Sequence, residues 1–195
     1  MRDGITLYCV RHGETDWNAE RRYQGQTDIP LNENGRAQSR RNGAALRAFL
    51  PMIADADFVA SPLGRARETM AILRASLDLD PTSYRVEDRL LELSYGDWEG
   101  QLQADLPRID QTGLIARERD PFRWRPAGGE SYADLLERTI EWTDFLERNT
   151  VIATHGGISR CLRAYLLGLP PETIPSLESP QDRVLILRRG SMAWV

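Results

Sequence analysis

The sequence predicts an α/β fold, a three-layer sandwich in which helices flank a largely parallel central sheet. Short apolar segments rich in β-forming residues alternate along the chain with segments whose apolar residues recur at helical spacing. The chain has 195 residues, of which 41% are hydrophobic and 28% are charged, an ordinary balance for a globular protein. Because no repeat, low-complexity tract or linker interrupts it, we expect one domain spanning residues 1–195.

The first half of the chain contains two predicted strands, each followed by a helix. Residues 5–10 are apolar and lead directly into a polar turn with a glycine, which is typical of a short buried strand. The spacing of the apolar residues predicts a helix over residues 32–50, which we expect Pro51 to end. Residues 57–60 form the second apolar segment, and the Ser-Pro pair after it opens a helix predicted over residues 65–77.

The second half of the chain combines a long irregular segment with further strands and helices. Residues 96–129 are rich in tryptophan, proline, glycine and charge, which predicts loops with one short helix. Residues 93–129 are the best candidate for a lid over a site at the strand ends. Ser131 and Asp134 resemble a capping box, which opens a helix to about residue 148. The remaining predicted elements are strands over residues 84–86, 150–154, 184–187 and 192–195 and a helix over residues 158–167.

Two absences in the composition exclude several classes of chemistry. All 25 basic residues are arginine, so the chain cannot be a P-loop NTPase or a Schiff-base enzyme, both of which need a lysine amine. Two histidines and two cysteines are too few for a zinc site of the usual type. Cys9 and Cys161 lie far apart in apolar stretches, and we interpret them as small buried hydrophobic residues rather than as a disulfide or a nucleophile.

The net charge and the N-terminal segment allow predictions about the partners of the protein and its location in the cell. The formal net charge of −4 offers no basic face, so we expect no nucleic-acid partner and no binding to anionic membranes. No apolar run approaches the roughly 20 residues that span a bilayer. The N-terminus lacks the apolar core of a signal peptide, which predicts a cytoplasmic location. The oligomeric state stays open, with a homodimer as one alternative.

Both histidines stand at equivalent places, directly after a predicted strand and before a glycine. Ligands of open α/β sheets bind beyond the carboxyl ends of the strands, so His12 and His155 are expected to converge on one pocket. The glycines let backbone N–H groups approach an anion closely. Arg65, at the start of the helix after the second strand, suits phosphate because its planar guanidinium donates two parallel hydrogen bonds. The alternative for each residue alone is an ordinary core or surface position.

Residues 11–18, which read Arg-His-Gly-Glu-Thr-Asp-Trp-Asn, resemble the signature of the histidine phosphatase superfamily, also called the phosphoglycerate mutase-like family. Further blocks resemble the family's in the same order, and the likeness covers residues 5 to about 168. These blocks are residues 22–31, 61–69, 91–92 with 95–100, and 154–157. The resemblance implies the phosphoglycerate mutase-like form of the α/β sandwich.

The resemblance also implies roles for the residues of the phosphate pocket. His12 would attack phosphorus and become a transient phosphohistidine, which splits one hard displacement into two easier ones. Arg11, Arg65 and His155 would hold the non-bridging oxygens and neutralise charge in the transition state. No metal or other cofactor is needed in this scheme, because arginines supply the positive charge.

Two carboxylates and several binding residues complete the implied site. Glu92 would protonate the leaving alkoxide and then help to activate water, whereas we interpret Glu99 as structural. The implied substrate-binding or phosphate-binding residues are Asn18, Gln24, Gly25, Tyr95 and Gly156.

Three functions compete on this fold. We expect a phosphatase that hydrolyses small-molecule phosphate monoesters. The first alternative is a cofactor-dependent phosphoglycerate mutase; the mutases resemble one another in having a lysine shortly after the acid-bearing loop, where residues 100–103 have none. The second is a non-catalytic phospholigand-binding module, which the full set of catalytic residue types disfavours. A phosphoprotein phosphatase would need a more open site than the segment 93–129 suggests.

One hypothesis concerns the end of that long segment. Arg123 or Arg125 could reach over the site and bind a second anionic group of the substrate. The alternative is a solvated charged loop with tryptophan packed beneath it.

Overall fold

The computed structural model describes residues 1–53 and 55–195. Six strands form one sheet: β1 (Leu7–Arg11), β2 (Asp57–Ala60), β3 (Arg85–Val86), β4 (Thr150–Thr154), β5 (Val184–Arg188) and β6 (Ser191–Trp194). Their order across the sheet is β3-β2-β4-β1-β5-β6. The first four in that order are parallel, whereas β5 is antiparallel to β1 and β6 is antiparallel to β5. The sheet is therefore largely parallel, as predicted.

Helices cover both faces of this sheet. They are α1 (Asp16–Ala19), α2 (Glu33–Arg47), α3 (Leu50–Ile53), α4 (Gly64–Ser76), α5 (Leu106–Ile109), α6 (Gln111–Arg119), α7 (Tyr132–Asp144) and α8 (Gly156–Leu167). Short 3-10 helices span Asp88–Leu90, Gly96–Trp98, Gln103–Asp105 and Pro171–Ser176. Side chains alternate along β1, so that Leu7 and Cys9 join the core under α7 and α8, while Tyr8 and Val10 join the core under α2 and α4. This alternation produces the three-layer sandwich expected from the sequence.

The structure corrects several of the predicted elements, two of them here. The helix predicted over residues 32–50 ends at Arg47, and Pro51 lies inside the separate short helix α3, because proline is tolerated in the first turn of a helix. Residues 96–129 contain more helix than the single short one predicted. The polar helix α6 forms there because the Asp110 side chain caps it by accepting from Gly113 N at 2.8 Å.

The register of the parallel strands determines where the signature residues lie. β4 runs between β1 and β2, and Arg11 is aligned with Thr154 while Ala60 is aligned with Ala153. Backbone hydrogen bonds continue one residue further, from His12 N to Thr154 O at 2.8 Å and from Ser61 N to Ala153 O at 3.0 Å. The residues after all three strands therefore meet at one edge of the sheet.

Both cysteines are buried and unpaired within the described residues. Burial raises the pKa of the Cys9 thiol to about 12 and raises that of Cys161 as well. Both thiols stay protonated at neutral pH and pack as apolar side chains. Within residues 1–53 and 55–195, no helix is both long and apolar enough to cross a membrane.

Candidate active site

A polar cavity of about 270 Å³ opens beyond the carboxyl ends of β1 and β4. Nine of the ten residues predicted for the site line it: Arg11, His12, Asn18, Gln24, Gly25, Arg65, Glu92, Tyr95 and Gly156. The tenth, His155, is fully buried and does not line the cavity. Its ring centroid lies 5.2 Å from that of His12. The sequence motifs thus converge in space around one group, the His12 imidazole.

The hydrogen bonding of His12 leaves one particular ring nitrogen available as a nucleophile. Its Nδ1 lies 2.7 Å from the carbonyl oxygen of Gly13, and because a carbonyl only accepts, Nδ1 carries the proton. Burial, followed by the charges of Arg65 and Arg11, holds the pKa of His12 well below its ordinary value of 6.5. The ring is neutral at pH 7, so its Nε2 bears a lone pair.

His155 is held next to this ring by a residue from the neighbouring strand end. Its Nε2 lies 2.7 Å from Ser61 Oγ, while its Nδ1 is buried with no hydrogen-bond partner among the described residues. Burial, followed by the charge of Arg65, also holds the pKa of His155 well below 6.5. A buried polar atom without a partner costs free energy unless a ligand satisfies it.

The loop that follows α1 holds the Arg65 guanidinium in place through its backbone carbonyl groups. Its Nη1 donates to Thr27 O at 2.7 Å and its Nη2 to Gly25 O at 2.6 Å. In the amide orientation that satisfies both neighbours, Gln24 Oε1 also accepts from Arg65 Nη1 and Nε. Burial lowers the pKa of the guanidinium to about 10, which still leaves it charged at pH 7. Four of its five N–H groups are thereby used, and one on Nη2 remains for a ligand.

Arg11 supplies a second guanidinium to the cavity. Its Nη1 donates to the carbonyl of Ser179 at 2.6 Å, and its buried Nε has no partner among the described residues. Arg11 Nε and His155 Nδ1 are two of the three unsatisfied buried side-chain nitrogens among the described residues, and these two belong to residues predicted to hold phosphate, whereas the third, on Arg163, lies outside the cavity. Such a pair indicates an anion as the missing partner.

Hydrogen bonds from Thr15 and Gln181, which lie far apart in the sequence, orient the side chain of Asn18. Its Oδ1 accepts from Thr15 N at 3.2 Å within a capping box, and from Gln181 Nε2 at 3.0 Å. With its oxygen engaged in this way, the NH₂ group of Asn18 is available to donate to an anion in the cavity. Gln181 was not singled out from the sequence, and its contact with Asn18 spans 163 positions.

The Glu92 carboxylate is positioned by the first turn of α8. It accepts from Gly157 N at 3.0 Å (Oε1) and 3.2 Å (Oε2), and from Leu93 N at 2.8 Å. This contact requires glycine at position 157, since a Cβ there would overlap the Glu92 carboxylate. Helix α8 begins at Gly156, two residues earlier than predicted, which places the Gly157 N–H in the first turn.

Glu99 makes a different set of contacts and does not line the cavity. Its Oε1 accepts from Gln26 N at 3.0 Å and Tyr95 N at 3.1 Å, while its Oε2 accepts from Thr27 N at 2.9 Å. The carboxylate therefore ties the loop that holds Arg65 to the loop that carries Tyr95.

Several cavity residues were not singled out from the sequence. They are Arg22, Tyr23, Gln103, Arg117, Tyr132, Arg160 and Pro175. Arg160 could have been found from the sequence, because it follows Gly156 by four residues and so lies on the same side of α8. Arg117 could not have been found in this way, since its helix was predicted to be a loop.

The two arginines proposed to reach over the site are engaged elsewhere. Arg125 donates to both carboxylate oxygens of Asp134, at 2.8 and 2.7 Å, and Arg123 lies 3.7 Å from Asp120 and 3.8 Å from Glu172. Neither lines the cavity. Among the residues that the structure describes, no group of three or more His, Cys, Asp or Glu side chains is arranged to hold a metal ion.

Comparison with known proteins agrees with this site. The family model for the histidine phosphatase superfamily (branch 1) matches residues 7–195. A glucosyl-3-phosphoglycerate phosphatase from Mycolicibacterium vanbaalenii is 34% identical, over 97% of this chain and 82% of that protein. A 2,3-bisphosphoglycerate-dependent phosphoglycerate mutase from Gloeobacter violaceus is 31% identical, over 88% of this chain and 80% of that protein.

The fold comparison points the same way. A solved mycobacterial glucosyl-3-phosphoglycerate phosphatase in complex with VO3 superimposes with a TM-score of 0.81 at 32% identity. The match covers 98% of this chain and 96% of that one. The chain therefore shares its overall fold with that phosphatase.

Proposed function

Since the chain belongs to the histidine phosphatase superfamily (branch 1) and is a phosphatase, we propose that it hydrolyses small phosphate monoesters through a phosphohistidine on His12. The observation that carries this proposal is the hydrogen bond from His12 Nδ1 to Gly13 O, which leaves the lone pair on Nε2. A neutral imidazole is the form that can attack phosphorus. The cavity of about 270 Å³ suits a small ester.

In the proposed reaction, the guanidinium groups and Asn18 hold the phosphoryl oxygens while Nε2 of His12 attacks in line. The P–O bond to the alcohol breaks as the N–P bond forms, and Glu92 gives its proton to the departing oxygen. The resulting Glu92 carboxylate then takes a proton from the water that attacks the phosphohistidine. Inorganic phosphate leaves, and both His12 and Glu92 return to their starting states.

The positive charge for this reaction comes from the protein itself. Arg11 and Arg65 are fixed by backbone carbonyl groups and keep donors in reserve, so they can stabilise charge without reorganisation. His155 would add a donor through Nδ1, which has no partner among the described residues. We therefore propose that turnover needs no metal ion, and that residues 93–129, which contribute Tyr95, Gln103 and Arg117 to the cavity, cover the substrate.

The side chain at position 103, in the wall of the cavity, supports phosphatase rather than mutase activity. Gln103 lines the cavity in the stretch where the family's mutases have a lysine, and the chain has no lysine to replace it. Glucosyl-3-phosphoglycerate is the first substrate to test, because relatives 34–35% identical to this chain bear the name of its phosphatase.

The test is phosphate release in EDTA from a panel of esters, with His12→Ala measured in parallel. The panel contains p-nitrophenyl phosphate, glucosyl-3-phosphoglycerate, 3-phosphoglycerate, sugar phosphates and nucleotides. We expect metal-independent release that falls at least about 10³-fold in the variant. Interconversion of 2- and 3-phosphoglycerate with little phosphate release would contradict the proposal in favour of a mutase.

A further inference from the structure

Arg138 lies on α7 and directs its guanidinium to the segment of residues 89–94, which carries Glu92. Its Nη1 donates to the backbone carbonyl groups of Arg89 at 2.8 Å and Leu91 at 2.7 Å. Its Nη2 donates to the backbone carbonyl of Glu92 at 3.0 Å. The side chain does not line the cavity. One arginine outside the cavity thus gathers three carbonyl groups around the residue that we propose as the acid.

The carboxylate of Glu130 completes the hydrogen bonding of this guanidinium. Its Oε1 accepts from Arg138 Nε at 3.2 Å, and its Oε2 accepts from Arg138 Nη2 at 3.1 Å. The same Oε2 accepts from Ser94 N at 2.9 Å. Every N–H group of Arg138 therefore has an acceptor within the protein. The two side chains are only 18% and 28% exposed, so water competes little for these bonds.

Glu92 is consequently held by both helices on this face of the sheet. Arg138 of α7 binds its backbone carbonyl, whereas Gly157 N in the first turn of α8 binds its carboxylate at 3.0 Å. Gln26 Nε2 also donates to the Glu92 carbonyl, at 3.0 Å. A general acid must lie within hydrogen-bond reach of the oxygen that it protonates, and a displacement of about 1 Å can lower a rate on the order of 10²-fold. The hydrogen bonds to the Glu92 backbone therefore restrict where its carboxyl group can act.

We propose that Arg138 is a positioning residue for the general acid, and that it holds the segment 89–94 so that the Glu92 carboxyl group meets the leaving oxygen. The inference rests on the proposed function, in which Glu92 donates the proton. Methionine at position 138 would deprive three carbonyl groups of a donor and Glu130 of its cation. The segment would then shift toward other donors, since unpaired buried carbonyl groups are costly.

The test compares two kinds of leaving group. The first ester is the alkyl phosphate of the panel that the wild type hydrolyses fastest, and the second is p-nitrophenyl phosphate, which needs little help from an acid. The variants are Arg138→Met, Arg138→Lys and Glu92→Gln. Arg74→Met is the matched control, because the Nε of buried Arg74 also donates to a backbone carbonyl, that of Asp80 at 2.6 Å, outside the cavity. kcat is measured for both esters, and the melting temperature shows whether each variant is folded.

We expect the loss to depend on the leaving group. Arg138→Met should lower kcat for the alkyl ester by about 10- to 100-fold and for p-nitrophenyl phosphate by less than about 3-fold. Lysine keeps the charge but cannot reach all of the acceptors at once, so Arg138→Lys should give a smaller loss with the same selectivity. Arg74→Met should lower the melting temperature and leave the ratio of the two kcat values unchanged.

A double variant tests whether Arg138 acts through Glu92. With Glu92→Gln already present, adding Arg138→Met should change kcat for the alkyl ester by less than about 2-fold, because the proton donor that Arg138 positions is gone. A merely structural role would instead lower kcat by the same factor in both backgrounds.

The outcomes that would overturn the inference differ from those that would overturn the proposed function. Equal losses on both esters in Arg138→Met, or losses that multiply in the double variant, would remove the positioning role alone. If Arg138→Met does not fold, Arg138→Lys decides, and an unchanged ratio of kcat values in that variant would contradict the role. Phosphate release from no ester, or no alkyl-selective loss in Glu92→Gln, would overturn the proposed acid and the positioning role together.

Discussion

The side-chain amide of Gln181 donates a hydrogen bond to the backbone carbonyl of His12, at 3.1 Å. The same Nε2 lies 3.0 Å from Asn18 Oδ1, so one residue near the C-terminus holds both the nucleophile loop and the first helix. The backbone carbonyl of Gln181 is held in turn by Asn42 Nδ2 at 2.9 Å. Gln181 does not line the cavity, so we expect it to affect the reaction only through His12 and Asn18.

We predict that Gln181→Glu lowers kcat by about 10- to 100-fold, because a carboxylate of the same length cannot donate to two acceptors. The folded state should be kept, so the melting temperature tests for simple unfolding. Gln181→Asn, which retains an NH₂ group, should recover part of kcat. Gln111→Ala on exposed helix α6 is the control and should match wild type. If Gln181→Glu keeps wild-type kcat, the positioning role is wrong.

Glu92→Gln separates general-acid catalysis from binding. The amide oxygen can still accept from Gly157 N and Leu93 N, but the side chain cannot deliver the proton that we propose for Glu92. We expect kcat for alkyl phosphates to fall by about 10²- to 10⁴-fold. For p-nitrophenyl phosphate the loss should stay below about 10-fold, because that leaving group is a weak base. Equal losses on the two kinds of ester would argue against proton donation by Glu92.

Glu99→Gln should behave in the opposite way. The carboxylate accepts from three backbone N–H groups that join two loops, and an amide would turn a donor toward one of them. The free energy of unfolding should fall by about 1–3 kcal/mol in urea denaturation. The ratio of activity on alkyl and nitrophenyl esters should stay at the wild-type value. A change in that ratio would indicate that Glu99 takes part in proton transfer.

Stability should fall as the pH drops below about 6.5. Both histidines have folded-state pKa values well below 6.5, so the unfolded chain binds more protons in that range and is favoured by acid. Each histidine contributes about half of 1.4 kcal/mol per pH unit to this slope at pH 6.5 and approaches the full 1.4 kcal/mol only further below that pH. Urea denaturation between pH 5.5 and 7.5 measures it.

A double variant provides the control for this slope. The chain has only two histidines, so His12→Gln combined with His155→Gln should flatten the dependence over this range. A slope that persists in the double variant would assign the dependence to other groups.

The sequence predicted the sheet from its residue pattern, whereas most of the candidate site residues followed from the resemblance to the histidine phosphatase superfamily. Short apolar segments located the strands, and parallel strands bring the residues that follow them to one edge, so His12 and His155 could be placed together. Helix α6 could not be predicted, because its polar sequence has no apolar stripe and its start depends on the Asp110 cap. Contacts such as Gln181 with His12 join positions 169 apart and leave no local pattern.

The central claim is that Nε2 of His12 carries the phosphoryl group during turnover. The most direct measurement is rapid quenching with ester labelled by ³²P, followed by alkaline digestion conditions that preserve phosphohistidine and by mapping of the labelled peptide. We predict label on the peptide that contains His12, transient in the wild type and absent in His12→Ala, which should also fail to release phosphate. Label on His155 or on a carboxylate, or sustained hydrolysis by His12→Ala, would contradict the account.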